Sequence, residues 1–170
     1  MYASDMIPAL VLAAGRSSRM GRAKATLPLN GDETFLTRVV RTFLDAGVDD
    51  VVIVAGHEAD DIIGAFAASG LPARFVVNHE YDRGQLSSLV AGLGVVDRPG
   101  VAAVLITLVD VPLVSAATVR AVVDCYRRTH APVVRAHASA AGDIPIDDEG
   151  AFTDIDTEDE YARARESMHS

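Results

Sequence analysis

The sequence predicts an α/β fold with a mostly parallel sheet covered by helices on both faces. Three observations carry that expectation. Short apolar runs alternate with segments of helical periodicity, the pattern of parallel strands joined by crossover helices. Apolar residues make up 49% and charged residues 23% of the 170 residues, an ordinary globular balance. A chain of this length can remove roughly 70% of its unfolded surface from water, enough for one sizeable core. A single domain over residues 1–170 is therefore expected.

The elements follow in order. Residues 7–14, IPALVLAA, form a continuous apolar run suited to a strand buried on both faces. A loop rich in Gly, Ser and Arg runs from Gly15 to about Ala25. Phe35, Val39, Phe43 and Leu44 fall at helical spacing between Thr34 and Ala46, and Gly47 stops that helix. Val51–Ala55 is a second buried strand. Asp60–Ala68 reads as a helix ended by Gly70 and Pro72, and Ala73–Val77 as a short strand. Leu86–Val96 reads as a helix despite Gly92 and Gly94. Val101–Val109, VAAVLITLV, is the strongest buried-strand candidate. Ser115 suits the N-cap of a helix running to about His130. Pro132–Ala136 and Ala151–Ile155 read as short strands. Thr157 and Glu160 form a capping box that opens a last helix.

Charge is uneven. The formal net charge is −9, and nine acids fall between Asp143 and Glu160 with no Lys or Arg among them. The rest of the chain carries fifteen basic and fifteen acidic residues. Broad nucleic-acid binding needs a basic face and is not expected. No apolar run is long enough to span a bilayer, so no membrane partner is expected. Cys125 is the sole cysteine, which excludes a disulfide scaffold and fits a reducing, cytoplasmic location. It reads as a small core residue of its helix. The five histidines show no zinc-ligand spacing.

Chemistry concentrates in three places. From Met6 to Gly31 there is no acid, while Arg16, Arg19, Arg22 and Lys24 cluster behind the first strand. Gly15 follows that strand directly, where backbone turns sharply or approaches a ligand. Backbone N–H groups with several cations suit a triphosphate, although neither a P-loop nor a dinucleotide fingerprint is present. Asp110 ends the strand Val101–Val109, and ligands bind at the carboxyl ends of such strands. Its carboxylate could hold a hard cation such as Mg²⁺ together with substrate phosphates. Asp154 and Asp156 alternate with Ile155, which would put both carboxylates on one side of a short extended segment, from which one could reach the same ion as Asp110.

These residues resemble a known family. LAAG-x-x-x-RMG-x-x-K over residues 12–24, Asp-x-Pro at 110–112 and D-I-D-T-x-D at 154–159 are similar to the MobA/MocA-type nucleotidyltransferases. The resemblance implies a three-layer, Rossmann-like domain that moves NMP from an NTP to the phosphate of a molybdopterin-type cofactor. It implies that Leu12, Ala13, Ala14 and Gly15 border the base and ribose, and that Arg19 and Lys24 hold the triphosphate. Asp110 and Asp156 would hold Mg²⁺, making Arg19, Lys24 and Asp110 the catalytic set. The segment VVNHEYDRGQLSSL over residues 76–89 implies a pocket lined by Asn78, Gly84, Ser87 and Ser88. Ala14 in LAAG resembles the cytidylyltransferase branch, so CTP is favoured over GTP. A pterin phosphate is the implied acceptor, and a molybdoenzyme or its chaperone an implied partner.

The chain departs from the family pattern in places. Val109 and Val111 replace polar or small neighbours around Asp110, and Thr157-Glu158-Asp159-Glu160 stands for Thr-Pro-Glu-Asp. Between Ala131 and Arg135 the chain lacks a segment with a Gly-His-Pro motif that the family associates with the acceptor. Two other readings follow: a sugar- or alcohol-phosphate nucleotidyltransferase, or a non-catalytic, chaperone-like nucleotide binder.

Overall fold

The computed structural model describes residues 6–16, 21–132, 136–137, 144–145 and 147–169. Its centre is a four-stranded, wholly parallel sheet of β1 (Ala9–Ala13), β4 (Val51–Ala55), β5 (Arg74–Val77) and β6 (Leu105–Leu108), ordered β5-β4-β1-β6. Every residue of β1 and β4 is buried, as their unbroken apolar runs require. Alternation then divides them between two layers. Ala9, Val11 and Ala13 join Val51 and Ile53 in the larger core, with Phe35, Val39 and Phe43 of α1 (Phe35–Asp45) and Ile62 and Phe66 of α2 (Ala59–Ala67). Leu10 and Val52 face the other way, against Leu89, Leu93 and Val96 of α3 (Gln85–Val96). Burying one such aliphatic side chain contributes about 1.5–3 kcal/mol.

The chain winds outward from β1 through α1, β4, α2 and β5. It then returns under the opposite face through α3 to β6, on the far side of β1. Strand order thus reverses at the β1/β6 boundary, and in such sheets a crevice opens there at the carboxyl ends. This is the three-layer, Rossmann-like arrangement expected from the sequence.

Local chemistry sets the helix ends. Thr34 caps α1, accepting from Thr37 N, while Thr37 Oγ1 accepts from Thr34 N. Ser115 Oγ accepts from Thr118 N at the start of α4 (Ala116–Thr129). Thr157 and Glu160 form the expected capping box at α5 (Glu158–Ser167). Asp148 also accepts from Ser115 N and from the Thr118 hydroxyl. Burial pushes its carboxyl up, but the Thr118 and Ser115 hydrogen bonds outweigh this and hold it below the usual range. Cys125 is buried in α4.

Three elements differ from the expectation. A hairpin of β2 (Pro28–Asn30) and β3 (Glu33–Thr34) turns through Gly31 and Asp32, where the sequence indicates no strand. β6 has four residues rather than nine. It pairs with β1 from Ala9 onward; beyond Pro8, which has no N–H for the ladder, an isolated parallel bridge joins Met6 to Val101. Ala151–Ile155 is not a strand: a 3₁₀ turn covers Glu149–Phe152 and the chain then runs extended into the α5 cap. Of the expected strand Pro132–Ala136, residues 133–135 lie outside the described ones. Ala136–His137 (β7) pairs with Ile144–Pro145 (β8) in a separate two-stranded unit. No described helix is long and apolar enough to cross a membrane.

Candidate functional site

The crevice at the β1/β6 boundary is a cavity of about 380 Å³. Its floor is the carboxyl end of both strands: Leu12 and Ala13 on one side, Leu108 and Val109 on the other. Val109 N donates to Leu12 O at 3.2 Å, so the two strand ends stay in step. Ala14 and Gly15 continue from β1, and Asp110 follows Val109. Topology therefore places the glycine loop beside the carboxylate, though they are far apart in sequence.

Lys24 joins these parts. It opens a 3₁₀ turn, Lys24–Thr26, anchored by buried Ala25 and by fully buried Leu27, whose N–H bonds back to Lys24 O. Its side chain is 13% exposed and pairs with Asp110 Oδ2 at 3.4 Å and with Asp156 Oδ1. Asp156 arrives through a backbone register: Ile155 N donates to Asp110 O at 2.9 Å, and the Ile155 side chain is fully buried in the core. Asp154 and Asp156 flank it, turned away from the core. Burial raises the Asp154 carboxyl, and repulsion from Asp110 and Asp156 raises it further. Three carboxylates, Asp110, Asp154 and Asp156, thus gather around Lys24. Asp110 Oδ1 is buried and has no hydrogen-bond partner. A buried carboxylate oxygen left in this state is costly unless a cation or donor meets it.

That orphaned oxygen and the second carboxylate are a hard, all-oxygen donor pair, which fits Mg²⁺ or Mn²⁺. Among the described residues no group of three or more His, Cys, Asp or Glu is arranged to hold a metal. Two protein ligands suit a cation that keeps water and shares substrate phosphates, rather than an all-protein cage.

The opposite wall comes from the segment after β5 and the first turn of α3. Gly56 follows β4 and lies so close to the loop after β1 that a Cβ there would stand 2.7 Å from Tyr81 Cβ and 2.9 Å from Ala14 Cβ. Tyr81, Asp82, Gly84, Gln85 and Ser88 line the cavity. Arg16 binds Asp82 at 2.9 Å and lies over the Tyr81 ring at 5.6 Å, linking the two rims. Gly84 has φ +94° just before α3, a conformation that favours glycine. Asn78 is buried, with Nδ2 donating to Ser87 Oγ at 2.9 Å and Ser88 Oγ at 3.0 Å, while Oδ1 accepts from Glu80 N.

Of the residues expected from the sequence, the structure brings Leu12, Ala13, Ala14, Gly15, Lys24, Gly84, Ser88 and Asp110 to the cavity wall. Asp156 reaches it through Lys24. Asn78 and Ser87 stand behind the wall and fix the start of α3. Arg19 lies outside the described residues. Gly56, Tyr81, Asp82 and Gln85 are functional candidates that the sequence reading missed. The signal for Gly56 was available, since it ends an apolar strand just as Gly15 does.

A glycine loop, a lysine and carboxylates at the switch point of a doubly wound sheet stand where this class of α/β domain binds its ligands. The sequence profile of the MobA-like NTP transferase domain matches residues 9–157, and the chain belongs to that family. It is similar to a nicotine blue oxidoreductase of Paenarthrobacter nicotinovorans, 37% identical over 114 residues, covering 66% of this chain and 53% of that protein. It is also similar to a probable molybdenum cofactor guanylyltransferase of Opitutus terrae, 36% identical over 107 residues, covering 63% and 49%. The chain thus spans about half the length of these two curated relatives. Among solved structures, Rv0371c from Mycobacterium tuberculosis superposes with a TM-score of 0.72 at 28% identity, covering 96% of this chain and 98% of that one. Rv0371c has also been crystallised in complex with manganese.

Proposed function

We propose that this protein transfers a nucleoside monophosphate, CMP from CTP, onto the phosphate of a molybdopterin-type cofactor and releases pyrophosphate. The observation that carries the reading is the Lys24–Asp110–Asp156 cluster beneath the glycine loop at the sheet's switch point. Family membership supports it, and so does the relative named as a molybdenum cofactor guanylyltransferase.

Phosphoryl-type transfer needs positioning and charge neutralisation more than covalent chemistry. Leu12 to Gly15 border the base and ribose, with Ala14 favouring cytosine. Lys24, and Arg19 five residues before it in the sequence, neutralise the triphosphate and stabilise the charge that develops on the departing pyrophosphate. Asp110 and Asp156 would hold a divalent cation, which would supply charge neutralisation at the phosphates. The acceptor oxygen attacks the α-phosphorus in line. No general base is required, because a phosphate monoester is already an anion at neutral pH.

A second reading places a sugar or alcohol phosphate as acceptor. The observation favouring it is likeness to a bifunctional IPC transferase and DIPP synthase of Rubrobacter xylanophilus, 38% identical over 91 residues, covering 51% of this chain and 21% of that protein. The test is pyrophosphate release from each of the four NTPs with Mg²⁺, using either molybdopterin or a panel of sugar and alcohol phosphates. Release from CTP that depends on molybdopterin supports the first reading. Release that depends only on a sugar or alcohol phosphate supports the second. No release with any acceptor contradicts both.

A further inference from the structure

Lys24 engages the two carboxylates that a divalent cation would need. We infer that Lys24 is an exchangeable counter-cation that occupies the metal position until nucleotide arrives. It then moves to the triphosphate as the metal takes its place on Asp110 and Asp156. The inference rests on the reading of this crevice as a metal–nucleotide site and adds a coupling between the two ligands.

The chemistry follows from charge and reach. An ε-ammonium is a compact point charge on a flexible stem, able to swing between anions without moving backbone. Its anchor does not need to shift, because Ala25 and Leu27 hold the 3₁₀ turn in the core. Lys24 lines the same cavity as Gly15 and Arg16, so phosphates bound against the glycine loop lie within its swing. The carboxylates cannot accept both cations in one place. Asp110 Oδ1, buried and without a hydrogen-bond partner, marks the coordination left unmet while the lysine is there. A bare divalent ion must displace the lysine from both carboxylates. An ion arriving with a triphosphate supplies the lysine with a new anion. Metal binding is therefore weak alone and strong with nucleotide, a coupling that thermodynamic reciprocity makes mutual.

The test is Mn²⁺ affinity without nucleotide, read from the EPR signal of free Mn²⁺. Removing the charge in Lys24→Met should tighten Mn²⁺ binding at least about tenfold, since a cation in contact with both ligand carboxylates no longer competes. Lys24→Arg should bind Mn²⁺ as weakly as wild type. Mn²⁺ should also raise the melting temperature of Lys24→Met more than that of wild type. Equal or weaker Mn²⁺ binding by folded Lys24→Met would overturn the inference. A measurement on wild type does not depend on the variant's folding. On saturation with Mg²⁺, the Lys24 Cε resonance in ¹³C-lysine-labelled protein should move toward that of an exposed lysine, and an unmoved resonance would contradict the exchange. NTP binding by wild type is scored separately. Tighter Mn²⁺ binding in Lys24→Met without any NTP binding keeps the exchange and removes the nucleotide reading. NTP binding with unchanged Mn²⁺ affinity does the reverse.

Discussion

Two clusters of carboxylate and cation sit at opposite ends of the same sheet. At the amino end, Asp50 precedes β4 and receives Arg74 in a two-point fork, Nε to Oδ1 at 3.0 Å and Nη2 to Oδ2 at 2.9 Å. Arg98 adds a third bond at 2.7 Å. Burial raises this carboxyl, but hydrogen bonds from Arg98 and Arg74 outweigh it and hold it below the usual range. At the carboxyl end, one lysine serves Asp110 and Asp156, a third acid stands nearby, and a buried oxygen goes unmet. The first cluster is satisfied and has nothing left to bind. The second keeps a buried carboxylate oxygen without a hydrogen-bond partner. That difference separates a clamp from a site, and it is visible only in three dimensions.

The largest expected effect is at the carboxyl end. Asp110→Asn should lower nucleotidyl transfer by about a thousandfold or more, because it removes a carboxylate proposed to hold the charge-neutralising cation. Its melting temperature should be no lower than wild type, since the change also relieves repulsion with Asp154 and Asp156. Pyrophosphate release and thermal melts check the two halves. Full activity in this variant would remove Asp110 from the metal site.

Gly56→Ala tests the closeness of the two rims. Its Cβ would press Tyr81 and Ala14 apart, and overpacking of this kind costs about 1–3 kcal/mol. Nucleotide affinity should fall along with stability, as read by calorimetry and urea titration.

At the amino end the pattern inverts. Asp50→Ala should cost stability, about 1–2 kcal/mol after allowing for the partial exposure of its arginine partners. Specific activity per folded molecule should not change. Lost activity with intact folding would erase the distinction between the two ends.

The smallest effect is a pH dependence. The folded Asp50 carboxyl binds its proton less tightly than the unfolded one, whose pKa is about 3.9. Its stabilisation is therefore fully present above that value and is lost as pH falls through the lower folded pKa. Denaturant titrations between neutrality and pH 3 should show wild type losing more stability than Asp50→Asn over that window.

Much of this was legible in the sequence. The unbroken runs of β1 and β4 and the caps at Thr157 and Ser115 are local signals, and the structure carries them. The strand VAAVLITLV was harder. An apolar run reports a preference for burial, whereas β6 occupies the edge of the four-stranded sheet, with Ile106 51% exposed. The β2–β3 hairpin was missed because its strands are too short for a period to emerge. The link between Lys24 and its carboxylates spans 86 and 132 residues, which no local spacing can show. The alternation of Asp154, Ile155 and Asp156 was legible, but only the backbone bond from Ile155 to Asp110 brings Asp156 to the lysine.

The most direct test is calorimetric titration with CTP, GTP, ATP and UTP, first with Mg²⁺ and then with EDTA, on wild type and Asp110→Asn. CTP should bind best, with an affinity that collapses in EDTA and in the variant. GTP preference would keep the site and reverse the base assignment at Ala14. If no NTP binds wild type in the presence of Mg²⁺, the crevice between β1 and β6 is not a nucleotide site.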